Sequence, residues 1–204
     1  MTHTRRDTLT AGATLAAGTL AGCLGGGGSG KTVESLPTPA LGPADAPVTV
    51  MGFEDFACPH CRTFALQHLP QLVSEYVEPG TIRYEHHDFP FVNPTWSWKV
   101  ASGARAVQDN VGVDAFFTYS KQLYRNMSNY SLSVIGRLAE DVGADPETVR
   151  SAADELWYRP VLEADKQKGQ EMGVQGTPTI FVNGQKAPDY SFQTVSSMIE
   201  TQLG

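Results

Sequence analysis

Two periodicities of apolar residues divide the folded part of the chain into strand-like and helix-like segments. The apolar run from Pro47 to Phe56 is long enough for one buried strand, and residues 81–89 form a second run of this kind. Between them, apolar residues from Arg62 to Val77 recur at the spacing of one helix face. Pro70 is expected to kink this helix, because proline has no N–H to donate. The order predicts a β-α-β unit with two parallel strands.

From about residue 93 to residue 173 the pattern is helical throughout. Asn93 and Asp145 each precede a proline, and such pairs are typical of a helix cap followed by the first helical residue. Further helices are expected to begin near Asp114, after Ser131 and at Pro160. Because no strand interrupts this block, it predicts a helical insertion between two halves of a sheet.

The C-terminal segment predicts a β-β-α unit. Thr179–Val182 is a short strand, Asn183-Gly184 favours a two-residue hairpin, and another short strand follows near Gln185–Ala187. A last helix is expected from Ser191 to Leu203. Together with the β-α-β unit, this order predicts an α/β fold whose small mixed sheet is covered by helices on both faces.

Length, charge and composition narrow the class of protein. Residues 43–204 suit one domain with a hydrophobic core, and 41% of the 204 residues are hydrophobic. The formal net charge of −7 argues against a nucleic-acid partner, which needs a basic surface. The cysteines Cys23, Cys58 and Cys61 are too few for a framework of structural disulfides.

Residues 1–22 have the features of an export signal. Arg5 and Arg6 precede an apolar stretch that is too short for a membrane span but suits the core of a signal peptide. The arginine pair resembles a twin-arginine signal, and Leu20–Cys23 resembles a lipobox. Cys23 is therefore the expected lipidation site, and two acyl chains would hold the protein at a membrane. A cytosolic N-terminal segment without a targeting role is the alternative.

Residues 23–42 are predicted to form a flexible linker between the lipid and the domain. The segment contains a Gly/Ser-rich run followed by Pro37 and Pro39. Such a composition is typical of a linker and does not pack a core. The folded domain is therefore expected to begin at residue 43.

Cys58, Pro59, His60 and Cys61 form a C-P-H-C motif where the first predicted strand passes into the first helix. Unpaired N–H groups and the positive end of the helix dipole stabilise a thiolate at Cys58. His60 adds a hydrogen-bond donor and, when protonated, a positive charge, so both effects lower the pKa of Cys58. Pro59 fixes the first turn without leaving an N–H unpaired. The motif predicts a redox-active disulfide, with Cys61 as the buried resolving thiol.

Other interpretations of these residues stay open. A C-x-x-C pair can be half of a zinc site, and its thiolates could bind Cu(I) in a metal-binding module. His60 could be an ordinary surface residue. His86 and His87 are neighbours in a strand, so one is expected to cover the core and the other to face solvent. We expect no metal, and no cofactor beyond the Cys58–Cys61 disulfide.

A second motif, Gly176-Thr-Pro-Thr-Ile-Phe-Val-Asn-Gly184, opens the C-terminal unit. Together with the strand, C-x-x-C and helix, it resembles the thioredoxin superfamily, and C-P-H-C with a long helical insertion resembles the DsbA-like branch. The resemblance covers roughly residues 40–203. It implies that Pro178 is a cis-proline facing the disulfide and that the backbone of Thr177 binds an extended substrate segment.

One position departs from the pattern of this family. Gly52 stands where many relatives carry a buried acid, six residues before the first cysteine. Such a carboxylate is thought to move protons for the buried cysteine. Glu54 and Asp55 are the candidates to replace it, but strand alternation leaves their orientation open.

The resemblance implies a thiol–disulfide oxidoreductase that oxidises cysteine pairs of exported proteins. The expected location is the extracytoplasmic face of the cell membrane, reached by the twin-arginine route and held by the lipid on Cys23. A redox partner in the membrane would recycle the disulfide. A disulfide reductase or isomerase on the same fold, and a purely structural or adhesive domain, are the alternatives.

Overall fold

A five-stranded mixed sheet organises the computed structural model, which describes residues 30–204. The strands are β1 Ala40–Leu41, β2 Val48–Glu54, β3 Ile82–Asp88, β4 Thr179–Val182 and β5 Gln185–Lys186. They lie in the order β1-β3-β2-β4-β5, and β2 and β3 are parallel while the other pairs are antiparallel. The predicted strands and the β-α-β unit are confirmed. The predictions for residues 1–22 and for Cys23 lie outside the described residues.

The first helical stretch, α1, follows β2 and is built from four consecutive segments. These are α-helix Pro59–Thr63, π-helix Phe64–His68, α-helix Leu69–Leu72 and π-helix Val73–Val77. At the end of the first π segment the N–H of Leu69 bonds to the carbonyl of Phe64, five residues back. Pro70 follows directly and has no N–H to donate. The disturbance predicted at Pro70 therefore takes the form of wider π turns beside it.

The helical insertion between β3 and β4 is confirmed. Its helices are α2 Trp96–Asn110, α3 Val113–Arg125, α4 Leu132–Glu140, α5 Pro146–Asp154 and α6 Arg159–Glu171, and the last helix of the chain is α7 Phe192–Leu203. Ser131 and Asp145 cap α4 and α5 as predicted, and the Asn93 side chain accepts the N–H groups of Thr95 and Trp96. Within residues 30–204, no helix is both long and apolar enough to cross a membrane.

Buried side chains lie on both faces of the sheet. On one face, the Tyr84 ring of β3 packs against Phe64 of α1 and Phe117 of α3, with ring centroids 6.2 and 6.1 Å apart. On the other face, Phe53, Phe89, Val174 and Phe181 form a smaller cluster. Helix α6 approaches this cluster closely at Gly169, where a Cβ atom would lie 2.8 Å from the Phe89 ring. The sheet is thus covered on both faces, as predicted.

The predicted hairpin between β4 and β5 is confirmed by its backbone. Asn183 and Gly184 both have positive φ values, of 46° and 78°. Two successive residues of this conformation form the turn whose twist matches that of antiparallel strands. The hairpin places β5 at the edge of the sheet, so that β4 lies between β2 and β5, directly after the Thr177–Pro178 segment.

Residues 30–42 correct the prediction of a flexible linker, because much of this segment packs on the domain. The N–H of Val33 donates to the carbonyl of Trp157 at 2.8 Å. Ala40–Leu41 pairs with β3 as an antiparallel edge strand. Val33 and Leu36 are partly buried against the main core. The composition of this segment indicated a linker because it does not show the pairing with β3, a strand that lies far along the chain.

Truncation tests whether residues 30–42 belong to the domain. A fragment that begins at residue 43 loses β1 and the packing of Val33 and Leu36. Its free energy of unfolding should be at least about 2 kcal/mol below that of a fragment that begins at residue 30. Denaturant unfolding of the two fragments measures the difference. Equal stabilities would restore the linker interpretation.

Candidate active site

Cys58 and Cys61 lie where β2 ends and α1 begins. Cys58 has an extended backbone and precedes the first helical residue, Pro59, while Cys61 lies one turn into the helix and is fully buried. Asp55, in the loop between β2 and α1, is hydrogen-bonded to both cysteines. Its carbonyl accepts the N–H of Cys58 at 3.0 Å, and its own N–H donates to the Cys61 sulfur at 3.4 Å. Both thiols are free, so the structure shows the dithiol state. The predicted position of the motif at the helix N-terminus is confirmed.

The two sulfurs are driven to opposite protonation states. A hydrogen bond from the Cys61 thiol is the largest cause that lowers the pKa of Cys58, from 9.0 to about 6, against the opposing effect of burial. The side chain of Thr177 and the backbone N–H groups of Cys61 and His60 add to the lowering. Burial raises the pKa of Cys61 well above 9.0, and the negative charge of Glu54 raises it further. At neutral pH the pair is therefore a thiolate beside a thiol.

The loop before β4 faces the first sulfur. The sulfur of Cys58 lies 3.2 Å from the carbonyl oxygen of Thr177, to which it donates a hydrogen bond when it is protonated. The peptide bond between Thr177 and Pro178 is cis, as predicted. Among the described residues, the buried hydroxyl of Thr177 has no hydrogen-bond partner in the dithiol geometry. It is thus available to the Cys58 thiolate, which agrees with its effect on the pKa of Cys58.

The side chain of His60 is bonded to Tyr190, and its backbone N–H acts on Cys58. Its Nδ1 is hydrogen-bonded to the Tyr190 hydroxyl at 2.9 Å, and the two rings lie 5.9 Å apart. The backbone N–H of His60, by contrast, lowers the pKa of Cys58. Tyr190 lies beyond β5, and no sequence signal connected it with the C-P-H-C motif.

Glu54 supplies the buried acid that is missing at Gly52. Its side chain is 1% exposed, and its carboxylate accepts hydrogen bonds from the hydroxyls of Tyr84 and Tyr124. A Cβ atom at Gly52 would lie 2.6 Å from the Tyr84 hydroxyl oxygen, so Tyr84 occupies the space that a side chain at position 52 would need. The negative charge of Glu54 raises the pKa of Cys61 further above its ordinary value.

Asp55 has a different task from Glu54. Its carboxylate accepts the N–H groups of Phe91 and Val92 at 2.8 and 2.7 Å and the Ser97 hydroxyl at 2.8 Å. These bonds tie the loop before α2 to the residues that precede Cys58. Of the two candidates for the buried acid, the structure therefore places Glu54 beside the tyrosine hydroxyls and uses Asp55 to organise the loop.

His86 and His87 lie on opposite faces of β3, but both are buried, which corrects the prediction that one of them faces solvent. His86 is 3% and His87 is 1% exposed. Helix α6 covers the second face, so that His87 Nδ1 donates to Asp165 at 2.9 Å while its ring stacks on Phe53 at 5.0 Å. Strand alternation correctly predicted that the two side chains point to opposite faces of the sheet. It could not predict that α6 covers the face on which His87 lies.

In residues 30–204, no group of three or more histidine, cysteine, aspartate or glutamate side chains is arranged to hold a metal ion.

The fold and the Cys58–Cys61 site define a protein-disulfide oxidoreductase with a DsbA-like thioredoxin fold. The family model described as thioredoxin (Thioredoxin_4) matches residues 34–201, and the chain belongs to this family.

Individual relatives agree with this assignment. Disulfide bond formation protein D of Bacillus subtilis is 27% identical over 175 residues, which are 81% of this chain and 77% of the relative. The thiol:disulfide interchange protein DsbA of Salmonella typhimurium is 26% identical over 175 residues, covering 83% of this chain and 80% of that protein. The crystal structure of oxidised BdbD from Bacillus subtilis superposes with a TM-score of 0.76 at 26% identity, over 85% of this chain and 98% of that one. The predicted DsbA-like resemblance is confirmed.

Removing the Cys61 thiol tests the main cause of the lowered Cys58 pKa. Cys61→Ala removes the hydrogen bond from Cys61 to the Cys58 sulfur, so the pKa of Cys58 should rise from about 6 towards 9.0. The pH dependence of thiolate absorbance or of alkylation rate measures it. His60→Ala is the matched control and should leave the pKa near 6, because it keeps the backbone N–H. An unchanged pKa in Cys61→Ala would show that the helix N-terminus alone stabilises the thiolate.

Proposed function

We propose that this protein oxidises pairs of cysteines in exported proteins by passing them a disulfide formed between Cys58 and Cys61. The opposed protonation of the two sulfurs is the observation that carries the proposal. A stabilised Cys58 thiolate favours the dithiol state, so the disulfide state becomes a stronger oxidant. The names of the relatives, disulfide bond formation protein D and thiol:disulfide interchange protein DsbA, support this direction.

The reaction proceeds by two thiol–disulfide exchanges. A substrate thiolate attacks the sulfur of Cys58, the Cys58–Cys61 bond breaks, and Cys61 leaves with the bonding electron pair and takes up a proton. A second substrate thiolate then attacks the substrate sulfur of the mixed disulfide, and Cys58 leaves as a thiolate. The low pKa of Cys58 makes it a good leaving group in this second step. The substrate loses two electrons and the enzyme gains them, with no cofactor other than its own disulfide.

Thr177 and Pro178 are proposed to bind the substrate next to the reacting sulfur. The Thr177 carbonyl lies 3.2 Å from the sulfur of Cys58, at the point where the chain enters β4. Its backbone can pair with an extended substrate segment in the manner of an added strand. Pro59 and His60 complete the motif by fixing the first helical turn and supplying a backbone N–H to the Cys58 thiolate.

The membrane is the proposed place of action. The twin-arginine and lipobox motifs support export followed by lipid attachment at Cys23, on the extracytoplasmic side of the cell membrane. Disulfides persist in such a compartment. A membrane redox partner that accepts electrons from the Cys58–Cys61 dithiol would complete the cycle.

Oxidation of a reduced, unfolded protein tests the function directly. With oxidised glutathione present to re-form its disulfide, the domain should restore the substrate's disulfides catalytically, and Cys58→Ser should fall to the uncatalysed rate because it lacks the attacked sulfur. The reduction potential of the Cys58–Cys61 pair should lie above about −200 mV, on the oxidising side of thioredoxin at about −270 mV. A potential near that of thioredoxin would instead support a disulfide reductase.

Fractionation of cells tests the proposed anchor. Cys23→Ser removes the only sulfur of the lipobox, so the protein should move from the membrane fraction to the soluble fraction. Its oxidase activity in solution should stay unchanged, because Cys58 and Cys61 are untouched. Membrane retention of the variant would contradict lipid attachment at this residue.

A further inference from the structure

Glu54 has a buried histidine beside it that the reaction described above does not use. His86 Nδ1 lies 3.3 Å from a Glu54 carboxylate oxygen, and His86 Nε2 lies 3.3 Å from an Asp88 carboxylate oxygen. Because both ring nitrogens face acceptors, both carry hydrogen and the ring is an imidazolium. Burial lowers the pKa of His86, but the carboxylates of Asp88 and Glu54 outweigh it and raise the pKa to about 9.

The charge on His86 is supported from the side of the helical insertion. Arg105 of α2 is fully buried and donates from Nε to Asp88 at 2.7 Å, and it donates again to Asp165 of α6. Burial raises the pKa of Asp88, but Arg105 and His86 overcome this effect and lower it. Charges therefore alternate from Glu54 through His86, Asp88 and Arg105 to Asp165. Since a guanidinium does not deprotonate, this row holds charge in place and does not conduct protons to the surface.

The remaining neighbours of His86 are aromatic and exclude water. The rings of Phe56 and Phe116 lie 5.7 and 5.2 Å from the imidazole. Tyr84 of β3 and Tyr124 of α3 donate their hydroxyl hydrogens to Glu54, and both stay neutral because burial raises their pKa well above 10.0. In such surroundings a carboxyl group without a cationic partner favours its neutral form.

We propose that His86 is a positioning residue that keeps the Glu54 carboxylate ionised, so that Glu54 can accept the proton of Cys61 whenever that thiol attacks a mixed disulfide. The inference rests on the proposed thiol–disulfide chemistry of Cys58 and Cys61. The proton moves from the Cys61 thiol to Glu54, and the resulting thiolate attacks the sulfur of Cys58. A disulfide forms between the two cysteines, and the bound thiol leaves as a thiolate. Glu54 keeps this proton until Cys61 takes it back, when a substrate thiolate next breaks the Cys58–Cys61 bond.

An aromatic disulfide, 5,5′-dithiobis(2-nitrobenzoate), separates the two steps. The first coloured thiolate is released when Cys58 of the reduced protein attacks the reagent, and the second when Cys61 attacks the mixed disulfide. In His86→Gln the Glu54 carboxyl should be mostly protonated at pH 7, with no more than about a tenth of it ionised. The second release should therefore be at least about tenfold slower at pH 7 and should recover as the pH is raised. The first release should keep its wild-type rate.

Three variants distinguish this role from a structural one. His87→Gln changes an equally buried histidine that binds a carboxylate on the other sheet face, and it should leave the pH profile of the second release unchanged. His86→Lys restores a cation and should return the profile towards that of the wild type. Glu54→Gln should also slow the second release. Raising the pH should not restore its rate as it does in His86→Gln, until the pH is high enough for Cys61 to ionise without a base.

The ionisation of Glu54 can also be measured directly. Carbon-13 NMR of the labelled Glu54 carboxyl should show a carboxylate in the reduced wild-type protein at pH 7 and a protonated carboxyl in His86→Gln. A protonated Glu54 in the wild type would overturn the inference, as would a second release in His86→Gln that is unchanged or is slowed equally at every pH. Failure of the first release in the wild type would instead overturn the proposed function.

Discussion

The site depends on keeping two sulfurs, one helical turn apart, in opposite protonation states. The Cys61 thiol, the Thr177 side chain and backbone N–H groups lower the pKa of Cys58, while burial and the charge of Glu54 raise the pKa of Cys61. A thiolate stabilised in this way makes the disulfide form reactive towards other thiols. Three segments build this arrangement: the end of β2, the first turn of α1, which carries the cysteines, and the loop before β4, which carries Thr177.

The helical insertion is part of the site's electrostatics as well as a cover for the sheet. It supplies Tyr124 to Glu54, Arg105 to Asp88, and Asp165 to both Arg105 and His87. Buried charges are costly unless each has a partner and further hydrogen bonds. The alternation of acid and base along this row meets that requirement. It also explains how the carboxylate of Glu54 can be buried.

Features set by local sequence could be predicted, and features set by distant contacts could not. The caps at Ser131 and Asp145 and the Asn183-Gly184 hairpin depend on neighbouring residues, and all were predicted correctly. The C-P-H-C and Gly-Thr-Pro motifs were specific enough to indicate the pairing of Cys58 with the Thr177–Pro178 loop. The β1 strand, the burial of His87 and the Tyr190 bond to His60 arise from partners far along the chain. The orientation of Glu54 was undecided because it depends on Tyr84 filling the space above Gly52.

The most direct test of the account is a titration of both thiols in the reduced wild-type protein, by NMR of cysteines labelled with carbon-13 at Cβ. The Cys58 signal should move with a midpoint near pH 6, and the Cys61 signal should remain that of a thiol beyond pH 9.0. If both signals moved together near pH 9.0, the two sulfurs would be ordinary thiols and the proposed oxidase chemistry would lose its basis.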